Sequence, residues 1–216
     1  MRTLRALVLM ALLVHAGGMG ANAAPMTRVQ ALAALSHSEP QQRLAGIRRL
    51  AEIGTMPDAQ RLIGTLADAD ETLRVITTAA VWQIWGRSGD AAIDELFARG
   101  VGQMEAAQLE DALATFSEIV RRKPAFAEGW NKRATVYFLL GRNLESLKDC
   151  DEVLKRNPSH FGALSGAGQI HLQLGNAQQA LEFFRRAVEV NPALEGPAQM
   201  IPLLEQLLRD KGGKAI

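Results

Sequence analysis

Three short stretches decide the fold: Arg122-Lys123-Pro124-Ala125-Phe126, Arg156-Asn157-Pro158-Ser159-His160 and Val190-Asn191-Pro192-Ala193-Leu194. They follow one another at intervals of 34 residues, and a period of that size marks a chain of stacked supersecondary units. Placing each Pro at position 32 divides the region into units 93–126, 127–160 and 161–194. Position 8 then holds Gly100, Ala134 and Gly168, and position 20 holds Ala112, Ser146 and Ala180. Small residues at both places let two antiparallel helices approach closely where they cross. Larger side chains fill the other columns: Leu96, Trp130 and Leu164 at position 4, Phe116, Cys150 and Phe184 at position 24, Ile119, Val153 and Ala187 at position 27. Ala107, Gly141 and Gly175 at position 15 mark the turn between the helices. The Pro at position 32 lacks an amide donor, so it ends the second helix and prepares the next.

These columns resemble the tetratricopeptide repeat. The blocks Trp130-Asn131-Lys132-Arg133-Ala134-Thr135 and His160-Phe161-Gly162-Ala163-Leu164-Ser165-Gly166 are similar to those of short exported bacterial proteins of this family, whose activity is unassigned. The resemblance implies a right-handed α-solenoid in which the first helix of each unit lines a concave face. It places Phe97, Val101 and Met104 there from the first unit. The second unit contributes Asn131, Lys132, Thr135, Phe138 and Leu139, and the third Ser165, Gln169, Leu172 and Gln173. Amides and apolar groups in that mixture suit an extended or helical peptide. Repeats of this family that grip a C-terminal carboxylate use Lys, Arg and Asn side chains at positions that fall here on Phe97, Val101, Lys132, Gly162 and Gly166. That clamp is missing.

The flanks are helical too. Residues 195–216 read as a C-terminal capping helix and tail, with Leu203, Leu204, Leu207 and Leu208 on one stripe. Pro202 belongs in the first turn of its regular part, with 195–201 irregular or kinked. Over residues 24–92 a different scheme recurs: a helix through Arg43–Ile53, a turn at Pro57-Asp58, then a helix; and again from Arg74 through Trp85, a turn at Ser88-Gly89-Asp90, and a helix. Arg43 to Arg74 is 31 residues and Gly54 to Gly86 is 32. The scheme resembles short HEAT-like repeats; the alternative is an irregular helical cap on the array. Either way the helix near 90–105 serves both blocks, giving one continuous superhelix. Trp82 and Trp85 belong to the core where the blocks meet.

The chain opens as an address. Met1-Arg2-Thr3-Leu4-Arg5 precedes an apolar run, and small residues lead to Ala21-Asn22-Ala23, the layout of a cleaved secretory signal over residues 1–23. From Ala6 to Met19 the run has 14 residues, and a retained membrane anchor needs roughly 20. The protein is therefore expected in the periplasm, with no stable membrane insertion after cleavage. Cleavage removes Arg2 and Arg5 and leaves 22 basic against 23 acidic side chains. Nothing in that balance attracts nucleic acid.

No constellation of catalytic residues emerges. A single Cys excludes an internal disulfide framework, and four His without metal-ligand spacing give no metal site. Cys150 sits in a buried column, where a thiol behaves as a small hydrophobe. Low aromatic content and abundant Ala and Leu give an all-α protein. The functional expectation is an exported, non-enzymatic scaffold that takes a peptide or protein partner in its concave groove, without cofactor or metal. The rival is a structural or self-associating protein, such as a homodimer, with the groove filled internally.

Overall fold

The computed structural model describes residues 24–212. The expected signal peptide over 1–23 and the last four residues of the tail lie outside the described residues. The described chain is eleven α-helices and no strand. In order they are α1 (Arg28–Ala34), α2 (Pro40–Ile53), α3 (Met56–Ile63), α4 (Glu71–Trp85), α5 (Ala91–Glu105), α6 (Leu109–Arg122), α7 (Ala127–Leu139), α8 (Asn143–Arg156), α9 (Phe161–Gln173), α10 (Ala177–Val190) and α11 (Glu195–Gly212).

From α6 onward the period is kept to the residue. Helices α6, α8 and α10 begin at Leu109, Asn143 and Ala177, and α7, α9 and α11 at Ala127, Phe161 and Glu195. Each pair is locked by exchange of volume between two columns. A Cβ on Gly100 would lie 2.7 Å from the Phe116 ring, and one on Gly168 would lie 2.6 Å from that of Phe184. In the middle pair Ala134 replaces Gly and Cys150 replaces Phe within one buried cluster. Gly against Phe or Ala against Cys fills the same crossing, because interiors pack to near-crystal density. Gln103, which stands where the next two units have Tyr137 and His171, accepts a hydrogen bond from Thr115 Oγ1 at 2.7 Å and so ties α5 to α6.

The N-terminal block is α1–α4, held around Ile47, Leu50, Leu62, Leu66, Leu73, Val81 and Ile84. Two loops in it are fastened alike. Arg43 Nη1 donates to the carbonyls of His37 and Ser38, and Arg74 Nη1 to those of Asp68 and Ala69. The 31-residue recurrence of Arg is thus a recurrence of function: each guanidinium holds the loop that precedes its own helix. Arg28 and Arg43 also make paired bonds to Asp58 and Asp68.

Four sequence expectations are corrected. Pro57 and Asp58 do not form a turn; they lie in the first turn of α3, where Pro needs no amide partner and Asp58 accepts the Thr55 N–H at 2.8 Å. The α11 helix continues through Pro202, because Met200, Ile201, Leu204 and Leu208 pack against α10 and hold both sides of the interruption. Leu203 and Leu207 consequently face solvent, at 59% and 41% exposure, and leave the stripe assigned to them. The continuous superhelix through α5 is also absent. The apolar residues of α5 belong to the cluster shared with α6 and α7, while the N-terminal block reaches the repeats through Phe161, Val190 and Leu194. It lies along the loops that join successive repeats.

Position 15 carries a measurable strain. Gly141 and Gly175 have φ of 74° and 76°, and Ala107 in the equivalent place has φ of 57°. A left-handed conformation costs a residue with a Cβ about 1–2 kcal/mol, and Gly gives back part of this as chain entropy. Ala107→Gly should raise the unfolding free energy by about 0.5–1 kcal/mol and Gly141→Ala lower it by about 1 kcal/mol. Urea melts of the two variants read both signs, and a destabilised Ala107→Gly would contradict the assigned turn geometry.

Candidate functional site

The first helices of the repeats, α7 and α9, present two separate surfaces, divided by the docked end of α4. At their N-terminal ends Trp82 stands edge-on to His160 and Phe161, with ring centres 5.3 and 5.2 Å apart, and Trp85 stacks on His160 at 4.4 Å. A Cβ on Gly162 would collide with the Trp82 ring, so the glycine permits the contact. Below these rings a buried polar chain runs through α7. His160 Nδ1 accepts the Ala163 N–H at 3.0 Å, so its ring proton sits on Nε2 and is donated to Glu128 Oε2 at 2.9 Å. Asn131 Nδ2 donates to Glu128 Oε1 at 3.1 Å, and Lys132 Nζ approaches the same oxygen at 3.5 Å. Burial alone would raise the Glu128 carboxyl. The His160 hydrogen bond, the Lys132 charge and the Asn131 amide outweigh it and hold the group below the usual carboxylate range.

One turn further along the same helices a cavity of about 160 Å³ opens between α7, α8 and α9. Asn131, Thr135, Phe138 and Gln169 line it, four of the twelve residues expected in the groove. The others meet different fates. Phe97 packs on Phe116 and Phe126 at 5.9 and 5.5 Å, and Val101 and Met104 join that cluster; none of the three lines the cavity. Lys132 turns to Glu128 and lies over the Trp82 ring at 5.9 Å. Leu172 packs toward α10 and α11, and Gln173 accepts a hydrogen bond from Asn143. Leu139 is exposed outside the cavity, and Ser165 is half-buried and lines none of it.

The floor of the cavity was not legible from side-chain patterns, because it is made of what side chains leave out. Gly166 opens it, and Ala134, Ser146, Cys150, Gly162 and Ile170 complete it. The nearest atom to a Cβ on Gly166 would be Cys150 Sγ at 3.9 Å, so this glycine borders free space. Phe138 also packs on the Ala134–Cys150–Ala167–Ile170 cluster, so it belongs to the core and the groove alike. The Cys150 thiol is pushed up to about 12, first by burial and then by Asp149 and Asp151, which leaves it protonated and without nucleophilic character. Among the described residues no group of three His, Cys, Asp or Glu is arranged to hold a metal, and no helix is long and apolar enough to cross a membrane.

Interlocked helix pairs at a fixed period define an α-solenoid. The chain carries tetratricopeptide repeats: the profile of that family matches residues 125–193. A TPR repeat-containing protein of Rhizobium etli is 35% identical over 124 residues, which cover 57% of this chain and 61% of that protein. The Hsp70-Hsp90 organizing protein of Triticum aestivum is 26% identical over 103 residues, covering 48% of this chain and 18% of its own length. Among solved structures, the first TPR of Spaghetti (RPAP3) bound to the HSP90 peptide SRMEEVD matches with a TM-score of 0.52 and 20% identity, over 54% of this chain and 93% of that one. MamA matches with a TM-score of 0.52 and 17% identity, over 67% and 90%. At these identities the structural likeness shows the fold.

The buried Glu128 gives the site a pH signature. Its folded value lies below the ordinary 4.5, so its contribution to stability is complete above that value and disappears as pH falls through the folded one. Glu128→Gln should cost about 1–3 kcal/mol at neutral pH and make the loss of stability on acidification shallower. Urea melts at a series of pH values compare the slopes, and identical slopes would place the charge outside the folded-state balance.

Proposed function

We propose that the protein is an exported, non-enzymatic interaction module whose cavity between α7 and α9 receives a peptide segment of a partner protein. Repeats of this family mediate protein–protein interaction. The observation that carries the finer reading is the open floor at Gly166, walled by apolar Phe138 and Ile170 and by polar Thr135 and Gln169. Such a wall can hold an apolar side chain while amide and hydroxyl groups meet the peptide backbone. All the residues that line the cavity come from α7, α8 and α9. The N-terminal block lies along the repeat loops and lends no residue to the cavity, which favours partner binding over a groove filled internally.

Gly166 separates binding from folding, which Phe138 cannot do. A photocrosslinking side chain at exposed Thr135 or Gln169 should capture a partner in intact cells. Gly166→Leu should abolish the capture, and Gly166→Ala should retain it while raising helix stability by about 0.5–1 kcal/mol. Capture undiminished by Gly166→Leu, or equal from Lys148 on α8, would remove the groove as the binding surface. Light scattering separates the rival: a stable dimer with the groove covered would replace the outside partner with a second copy.

The basic start, short apolar run and Ala21-Asn22-Ala23 support export to the periplasm. Protein isolated from cell envelopes should begin at Ala24 by mass spectrometry, and an intact Met1 on that material would overturn the proposal.

A further inference from the structure

A second cavity, of about 200 Å³, lies where the N-terminal block meets the loops before α7 and α9. Trp85 and Arg87 line it from one side, and Lys123, Glu128, Arg156 and Asn157 from the other. Five buried side-chain N or O atoms in the described structure lack a hydrogen-bond partner, and three of them belong to residues of this one cavity: Trp85 Nε1, Arg87 Nη2 and Asn157 Nδ2. All three are donors. An indole N–H and a guanidinium N–H have no acceptor character, and the Asn157 carbonyl oxygen is already matched to Gln60 at 3.4 Å. Buried donors without acceptors are costly and rare, so three of them on residues that border one cavity are a strong signal.

The charges agree with the donors. Neither Arg87 nor Lys123 has a carboxylate within 4.0 Å among the described residues. Arg156 is spent on Glu152 and on the Pro124 carbonyl. The acidic group of the cavity, Glu128, has its oxygens taken by His160, Asn131 and Lys132. Arg87 Nη1 donates to the Gly54 carbonyl at 2.9 Å and leaves Nη2 unpaired. Two cations without a carboxylate, one of which carries one of the three unpaired donors, therefore border a space large enough for one small group and some water, at roughly 30 Å³ per water. We infer that this junction cavity is a binding site for a small oxyanion, a carboxylate or a phosphate group, gripped by Trp85, Arg87, Lys123 and Asn157. An acceptor-only ligand is the chemical complement of the three unpaired donors, since the Glu128 oxygens are already matched within the protein. The site is separate from the groove: its lining shares no residue with that of the α7–α9 cavity.

The indole N–H signals of Trp82, Trp85 and Trp130 in a nitrogen-labelled sample provide the test, with inorganic phosphate and acetate as probes against chloride at matched ionic strength. Trp130 Nε1 already donates to the Pro124 carbonyl at 2.9 Å and serves as the internal control. The Trp85 signal should move saturably with an oxyanion at millimolar concentration, while that of Trp130 stays. Lys123→Gln, which removes a half-buried cation with no ion pair, should weaken the response about tenfold, as loss of a charge-assisted contact does. Arg87→Gln should act likewise, and Gly166→Leu should leave it unchanged. A response to phosphate alone assigns a phosphoryl ligand; a response to acetate as well assigns a carboxylate, such as an acidic peptide group. A Trp85 signal that moves with neither probe, or moves equally in Lys123→Gln, would overturn the proposal and leave the donors to water.

Discussion

The arrangement of the whole molecule depends on one steric permission: Gly162 has no side chain, and the Trp82 ring occupies the space. With that ring in place, Trp85 stacks on His160, the α4 end lies on the loops before α7 and α9, and the N-terminal block is fixed against the repeats. Aromatic pairs in such geometry contribute about 0.5–1.5 kcal/mol each beyond their buried area. More distant hydrogen bonds, from Gln60 to Asn157 and from Asn191 to Thr78, extend the contact along successive repeat loops. The loop asparagines before two of the prolines thus have a second use. Besides ending a helix, each offers its side chain to the docked block.

Within the repeats the governing constraint is conserved volume at the crossing of each helix pair. The pairs Gly100–Phe116 and Gly168–Phe184 place a ring where the facing helix has no Cβ, and the middle pair reaches the same fit with Ala134 and Cys150. That choice has a functional consequence. A smaller Cys150 at the middle crossing leaves its sulfur on the floor of the groove, beside Gly166, where a Phe ring would take up more of the space. The cavity exists in the pair whose interlock is built from the smaller residues.

The periodic features were legible because each is a rule applied three times: the Pro, the small column and the turn position recur at the same offset, and the helices follow them. Pro57 and Pro202 were misread because a lone Pro announces a break without saying on which side burial will hold the helix. Only four of the twelve expected groove residues line the cavity, for a different reason. Positions named from a family resemblance fix which way a side chain starts, but Phe97 and Leu172 turn into neighbouring clusters whose composition is set by other elements. Glycines at the groove positions announced only the loss of a known clamp. That Gly166 opens a cavity while Gly162 admits a tryptophan depends on what packs beside each, and no local pattern carries that information.

The two cavities meet in the first turns of α7. Glu128 lines the junction cavity and accepts from Asn131, which lines the groove, and Gly162 lies between the groove and the Trp82 ring. A displacement of α4 would therefore alter a wall of the groove as well as a wall of the junction cavity, through contacts no longer than one side chain. The buried carboxylate explains why this joint is built from polar groups. An apolar contact would tolerate sliding, whereas Glu128 must keep His160, Asn131 and Lys132 in place or bear its charge uncompensated away from water. The His160 ring is fixed in turn by the Ala163 amide and by Trp85, so helix capping, block docking and groove position are set by the orientation of one imidazole.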